Sequence, residues 1–375
     1  MEPVKLSHHR AGAVALTAAF ALTLTACGSD DPVGGAQNGA TADAAAASSL
    51  SGELNGAGAS SIESAMEAWR AGFQNENPDV TVNYDPVGSG GGRTQFLEGG
   101  VLFAGTDSAL SEDELEQSIE RCAGATAIDL PVYVSPIAVT FNLDGIDSLN
   151  LSAATVAAIF DGKITQWDAP EIAAENPGVT LPALAITTVH RSDDSGTTKN
   201  FTDYLSKAAG GAWSYEASGD WPIEGGQSAQ GTSGLIQTVQ SAQGTIGYAD
   251  LSKVGALGTA SIKVGDAWVA PSEAAAAAAL DASPRDDSRD ESDIVITLDR
   301  TTSAAGAYPL VLVSYGVACT AYETQEDAEM VKAFLTYVVS EQGQKASESA
   351  AGSAPISAAL RTDVQAAIDS ISAAS

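Results

Sequence analysis

The sequence predicts an α/β fold with largely parallel sheets. Strand-like and helix-like stretches alternate along almost the whole chain, the pattern of βα units. Of the 375 residues 44% are hydrophobic, enough for a substantial core and for one large or two medium domains. Three strand-to-helix junctions carry Ser, Gly and Asp in place of bulky residues, and the carboxyl ends of strands are where open α/β sheets bind ligands.

Globular sequence begins near Leu50. Ser60 and Glu63 have the spacing of a capping box, and Ile62, Met66, Trp69 and Phe73 fall on one face of the helix that follows, which Asn77-Pro78 ends. Alternation at Val80, Val82 and Tyr84 predicts a strand. Gly88-Ser89-Gly90-Gly91-Gly92-Arg93 reads as a flexible loop, and 101–104 as a short buried strand ending at Gly105-Thr106-Asp107. A helix starts at Ser111, 132–142 is a long β-rich run, and 153–160 is helical up to an Asp161-Gly162 turn. Residues 184–189 form a strand and 198–209 a helix; 231–234 is a glycine- and hydroxyl-rich turn before a helix at 235–240, with a strand at 246–248. The rest reads as an Ala-rich helix (272–280), a charged surface loop (285–293), a strand (310–317) and a closing amphipathic helix (326–340).

The charge is lopsided: 17 Lys+Arg against 48 Asp+Glu, net −31. Binding a nucleic-acid backbone needs a basic face, so nucleic acid is not expected as a partner. The acidity suits solubility and exposure at a cell surface. An anion bound by such a chain must be held by local dipoles and one or two cations.

Residues 1–26 read as a targeting segment. Lys5 and Arg10 give a positive start, and 11–23 is an apolar run too short to span a bilayer comfortably. Leu24-Thr25-Ala26-Cys27 resembles a bacterial lipobox, which implies cleavage before Cys27 and lipidation of its sulfur; the alternative is a plain secretory signal with an incidental cysteine. The expected location is the extracytoplasmic face of the cell membrane, anchored through the lipid on Cys27. Residues 27–51, rich in Gly, Ala, Ser, Asp and Asn, read as a flexible tether with a reach of roughly 25–30 Å. Cys122 and Cys319 remain, and in an exported chain two leftover cysteines usually pair; two buried free thiols are the alternative.

The richest stretch chemically is His190-Arg191-Ser192-Asp193-Asp194-Ser195-Gly196-Thr197-Thr198, a strand, a turn and a helix start. Free amides and the helix dipole at such a start favour a small oxyanion, and Arg191 adds a cation. An ordinary helix cap beside a surface arginine would read the same way. Three more loops at junctions strengthen the anion reading: Gly56-Ala57-Gly58-Ala59-Ser60-Ser61, Gly88-Ser89-Gly90-Gly91-Gly92 and Thr106-Asp107. A carboxylate at Asp107 makes sense if the anion carries a proton to donate. Phosphate does at neutral pH and sulfate does not, and two buried acceptors facing each other cost several kcal/mol, at about 1–3 kcal/mol or more per unpaired group. Asp107 as a cap of the next helix, or on the surface, is the alternative.

Enzyme readings fare poorly. His8 and His9 lie in the targeting segment, leaving His190 as the single further histidine. His and Cys are too few for a zinc site, no phosphate-binding Gly-x4-Gly-Lys-Ser/Thr loop occurs, and a catalytic serine elbow is missing. No cofactor and no metal are expected. Trp69, Trp167, Trp213, Trp221 and Trp268 are scattered, which favours packing over sugar stacking.

Taken together, several segments resemble the phosphate-binding lipoproteins of the bacterial Pst ABC uptake system, which are type II periplasmic binding proteins. They are Gly56-Ala57-Gly58-Ala59, Gly88-Ser89-Gly90-Gly91-Gly92, Ala104-Gly105-Thr106-Asp107-Ser108-Ala109-Leu110-Ser111, Ile159-Phe160-Asp161-Gly162-Lys163-Ile164-Thr165-Gln166-Trp167-Asp168, Asn176-Pro177-Gly178 with Leu181-Pro182, Arg191-Ser192-Asp193-Asp194-Ser195-Gly196-Thr197-Thr198 and Ile246-Gly247-Tyr248. The resemblance implies a two-lobed fold with mixed, mostly parallel sheets that closes on its ligand like a hinged clamp. Lobe I would comprise 52–142 plus 308–375 and lobe II 143–307, with crossings near Asn142 and near Ala307-Tyr308. Cys122 and Cys319 would then share a lobe.

Carried over by position, the resemblance gives Ser60 and Ser61 backbone donors, with the Ser60 hydroxyl, and gives Ser89 a hydroxyl donor. Asp107 would accept the ligand proton, Arg191 would supply a charge-assisted donor pair and Asp193 would orient Arg191. Ser195, Gly196 and Thr197 would present a helix N-terminus. The chain departs from the family at Ser60-Ser61, where Thr-Phe is frequent, and Asp194 adds a second carboxylate that is expected to point outward. The function implied is reception of inorganic phosphate for an ABC permease and its ATPase, by a monomer. Competing readings are a receptor for sulfate or molybdate, a secreted phosphate-ester hydrolase, and a surface protein used for adhesion or sensing.

Overall fold

The computed structural model describes residues 50–374. The targeting segment expected at 1–26, the lipidation of Cys27 and nearly all of the tether expected at 27–51 lie outside the described residues. In chain order the first elements are β1 (Gly52–Gly58), α1 (Glu63–Glu76), β2 (Val80–Asp85), α2 (Ser89–Leu97), β3 (Phe103–Thr106), α3 (Glu112–Arg121) and β4 (Ala127–Phe141). They are followed by β5 (Ser148–Leu151), α4 (Ala153–Phe160), α5 (Pro170–Glu175), β6 (Thr187–Arg191), α6 (Gly196–Ala208), β7 (Gln227–Ala229), α7 (Gly231–Gln240) and β8 (Thr245–Asp250). The last part holds β9 (Gly258–Val264), β10 (Ala267–Val269), α8 (Glu273–Asp281), β11 (Val311–Cys319), β12 (Ala321–Tyr322), α9 (Gln325–Val339), α10 (Glu341–Ala351), α11 (Ala358–Asp369) and β13 (Ser372–Ala373).

The main sheet runs β2-β1-β3-β11-β4-β8-β6-β7, with β9 also on β4 and with β5 and β10 beside β9. Pairing is parallel on the flanks, where β1 joins β2 and β3 and β6 joins β7 and β8. It is antiparallel in the centre, where β11 lies between β3 and β4 and β4 meets β8. β4 is the spine. All its residues are buried, so it reads as a continuous apolar run without alternation. Up to Pro136 it pairs with β11, and from Ile137 with β8. The strand therefore passes from one group of strands to the other at a proline, the residue that has no N–H to give a ladder. Facing Pro131 and Tyr133, the register of β11 shifts between Ser314 and Tyr315. The extra residue is Val132 on β4.

Capping and amphipathicity account for most helices. Ser111 and Glu114 close a capping box on α3, Ser152 caps α4, and Thr324 caps α9. On α1 the stripe of Met66, Trp69 and Phe73 is buried, with Ile62 just before it. Trp69 and Trp167 are fully buried core side chains, whose indole N–H groups donate to the carbonyls of Gly343 and Gly244. Cys122 and Cys319 are joined in a disulfide with Cα atoms 5.1 Å apart, tying the end of α3 to the end of β11.

Three expectations are corrected. Ser60 does not cap α1: Ile62 holds that position without a side-chain cap, and the Ser60 hydroxyl is occupied elsewhere. The stretch from Gly88 to Arg93 is no loop; from Ser89 it is the helix α2, and its glycines serve close approach. A Cβ on Gly92 would stand 2.3 Å from Gly58 Cα. The loop at 285–293 is not wholly a surface feature. Arg289 turns inward, where Nη2 meets Asp129 Oδ2 at 2.8 Å and Nε lies 2.9 Å from Asp293 Oδ2. Two buried carboxylates thus share one guanidinium and pin the segment onto β4.

Candidate functional site

The four loops named from sequence converge. Ser60 and Ser61 lie in the turn after β1, Ser89 opens α2, and Asp107 follows β3. From the other group of strands come Arg191 at the end of β6 and Asp193 in the turn, then Ser195, Gly196 and Thr197 at the start of α6. Ser60, Ser61, Ser89, Asp107, Arg191, Ser195 and Thr197 are all buried.

Asp107 is the hub. Its Oδ1 accepts from the Ser61 hydroxyl at 2.7 Å and from the Ser314 hydroxyl at 2.7 Å, and its Oδ2 accepts from Thr197 Oγ1 at 3.1 Å. Its backbone N–H donates to Ser89 Oγ at 3.1 Å, and its carbonyl accepts from Asn200 Nδ2 at 2.6 Å. Burial raises its carboxyl above the usual range; the three hydroxyl donors and the charge of Arg191 pull it partway back. The result is a satisfied carboxylate with a heightened taste for a proton. Oδ1 holds two donors and Oδ2 one, which leaves Oδ2 able to accept another.

Arg191 is oriented by a fork. Nε donates to Asp193 Oδ1 at 2.8 Å and Nη2 pairs with Asp193 Oδ2, while Asp193 Oδ1 also accepts from Gly231 N–H at 3.0 Å. Burial pushes the Asp193 carboxyl up, but its bonds to Arg191 and Gly231 outweigh this and hold it below the usual carboxylate range. No described residue takes Nη1 of Arg191. Ser195 caps α6 by accepting from Thr198 N–H at 3.2 Å, leaving the amides of Gly196 and Thr197 at the helix start. Gly196 is there for proximity: a Cβ on it would stand 2.4 Å from Ser89 Oγ and 2.6 Å from Asp107 Cβ.

Position by position, the sequence-derived set comes together. Ser60 differs in detail, because its Oγ accepts from Thr232 N–H at 3.0 Å and pairs with Thr232 Oγ1 at 3.0 Å. That contact joins the turn after β1 to the first turn of α7. Asp194 is exposed, but its carboxylate does not point outward as expected: Oδ2 faces Arg93 at 3.5 Å from Nη2. Sequence reasoning missed Ser314, Asn200 and Thr232. A lone serine in the apolar run 310–317 was the available signal for Ser314. Asn200 stands one helical turn after Gly196, whose carbonyl it also binds at 3.0 Å. Thr232 is the second residue of α7, which starts at Gly231 and so takes in the glycine- and hydroxyl-rich stretch 231–234 that reads from sequence as a turn. Among the described residues no group of three or more His, Cys, Asp or Glu side chains is placed to hold a metal ion.

The fold is that of a two-lobed solute-binding protein, and the buried cluster around Asp107 and Arg191 lies where its two groups of strands meet. A family model described as a PBP superfamily domain matches residues 42–342. The chain belongs to the PstS family of phosphate-binding proteins. It is 38% identical over 333 residues to phosphate-binding protein PstS 3 of Mycobacterium tuberculosis, covering 86% of this chain and 88% of the relative. It is 34% identical over 371 residues to PstS 2 of the same organism, covering 96% and 98%. Its fold matches that of a high-affinity periplasmic phosphate-binding protein solved with bound phosphate, with a TM-score of 0.70, 21% identity, and coverage of 84% and 93%.

Proposed function

We propose that the chain is the extracytoplasmic receptor for inorganic phosphate of an ABC importer, closing on the ion and handing it to the membrane permease while the partner ATPase supplies the energy. The observation that carries this reading is Asp107. A buried carboxylate beside a guanidinium and a helix start, with Oδ2 still able to accept, suits an anion that brings its own proton. Ser60, Ser61 and Ser89 would donate from one side. Arg191, oriented by Asp193, would donate from the other with the amides and hydroxyls of Ser195, Gly196 and Thr197. Lobe I (52–142 with 308–375) and lobe II (143–307) would move as the two jaws; β4 changes partner from β11 to β8 between Pro136 and Ile137, so the first crossing would fall within that strand. The chain acts by binding, as a monomer, and is held at the membrane by a lipid on Cys27. Among the described residues no helix is long and apolar enough to cross a membrane.

Calorimetric titration with inorganic phosphate, alongside an assay with a chromogenic phosphate ester, tests this function. The expected result is one phosphate bound per chain and no turnover. Ester hydrolysis abolished by Arg191→Ala would favour the hydrolase reading instead.

A further inference from the structure

Asp194 places a second acid beside a site built for an anion, and no step described above uses it. Its surroundings do. The backbone carbonyl of Asp194 accepts from Gly90 N–H at 3.1 Å, and Oδ2 lies 3.5 Å from Nη2 of Arg93. Gly90 and Arg93 belong to α2, which packs on β1 and β3, whereas Asp194 sits between β6 and α6 in the other group of strands. The contact therefore crosses the cleft. A Cβ on Gly90 would stand 1.9 Å from Asp194 Oδ2, 2.3 Å from Cγ and 2.6 Å from Cβ. On the opposite side, a Cβ on Gly219 would stand 1.9 Å from Oδ1. The carboxylate is thus seated in a slot between two glycines, against the first turn of α2.

The slot has an electrostatic logic. The residue before α2, Gly88, offers no side-chain cap, so the positive end of that helix has no acid from its own segment. Asp194 supplies one from across the cleft. Arg93 extends the link: Nε donates to Glu114 Oε1 at 2.7 Å, and Nη1 donates to Thr106 Oγ1 at 3.1 Å and Ser108 Oγ at 3.3 Å, the residues on either side of Asp107. Contacts made only when the lobes meet stabilise the closed state and not the open one.

We propose that Asp194 is a latch of the closed cleft, an acid from one lobe seated on the first turn of α2 and on Arg93 in the other, which sets how fast bound phosphate leaves. This rests on the phosphate-receptor reading. Gly90 and Gly219 are the space that lets the latch seat.

Stopped-flow release of inorganic phosphate from the full chain tests it, with equilibrium affinity and thermal melting of the phosphate-free protein measured alongside. Asp194→Asn keeps the shape and loses the charge; release is expected to quicken about two- to fivefold, the size of a half-exposed ion pair, with a weaker dependence on salt. Gly90→Ala is expected to lower phosphate affinity about tenfold or more by blocking closure. The same change leaves the phosphate-free protein as stable or more so, because alanine favours helix. Adding Asp194→Gly to Gly90→Ala removes the atoms the new methyl strikes, and most of the lost affinity should return. An unchanged release rate in Asp194→Asn, or wild-type affinity in Gly90→Ala, overturns the latch alone. A wild-type chain that fails to bind phosphate overturns the receptor reading and the latch with it.

Discussion

The hydroxyl of Thr197 donates to Oδ2 of Asp107 at 3.1 Å, joining positions 90 residues apart in the chain. One is the second residue of α6 and the other directly follows β3, so the two groups of strands meet on a single buried carboxylate. Ser61 and Ser314 hold its other oxygen from the β1 and β11 side. The proposed selectivity and the proposed closure would therefore meet at one residue.

Replacing that carboxylate by an amide tests the coupling. Asp107→Asn keeps one acceptor and presents an N–H₂ donor, to which a fully deprotonated oxyanion can bind. Phosphate binding should weaken by about 1–3 kcal/mol, roughly five- to 150-fold, while sulfate binding gains. Competition titrations read the ratio of the two affinities; an unchanged ratio removes Asp107 from selectivity.

Arg191 should be intolerant of conservative change. Lysine offers a point charge and cannot both fork to Asp193 and face a ligand. Arg191→Lys should lose about tenfold or more in affinity. Arg191→Ala should lose about 2–5 kcal/mol, part of it because Asp193 is left without its partner. Isothermal calorimetry on both variants, with circular dichroism to verify folding, measures this. Affinity retained in Arg191→Ala would show that the amides alone hold the ion.

Reducing the Cys122–Cys319 bond should destabilise the protein without touching the site. The bond spans 197 positions, and the loop-entropy model gives such closures up to about 5 kcal/mol. Melting with and without a reductant should show a clear drop in the midpoint while phosphate affinity in the folded range stays put. Equal melting curves would mean that the bond constrains little.

The protein should also lose stability as pH rises from mildly acid to neutral, through Asp250 at the end of β8. This carboxylate is fully buried, and desolvation pushes it up to about 6 despite bonds from Ser252 and Tyr133. A carboxyl raised above its unfolded value of about 3.9 binds a proton that the unfolded chain has released. Its contribution, on the order of 3 kcal/mol, is fully present below about pH 4 and is lost as pH rises through about 6. Urea unfolding of phosphate-free protein at pH 5 and pH 7.5, compared with Asp250→Asn, isolates it. The variant should show a flatter profile, and identical slopes would exclude the assignment.

Much of the fold was legible because its signals are local. Ser111 with Glu114, Ser152 before α4 and the buried stripe of α1 are written within a few residues of one another. The failures share one cause, a partner far away in sequence. Ser60 carries the same capping signature as Ser111, but Thr232, 172 positions on, takes its hydroxyl. The glycines from Gly88 to Gly92 look like a loop until Gly58 and Asp194 are seen pressed against them. Arg289 looks like surface charge until Asp129 appears beneath it. The site loops could be named because Gly, Ser and Asp at strand ends are locally unusual, and the roles proposed for them come from the resemblance. Ser314 is harder to find that way, since its partner Asp107 lies 207 positions away in the chain.

The most direct test of the central claim is calorimetry of the wild-type chain with phosphate at neutral pH, repeated in a large excess of sulfate. The account predicts tight phosphate binding that sulfate barely weakens, because Asp107 demands a proton from the ion. Sulfate competing on equal terms would contradict it.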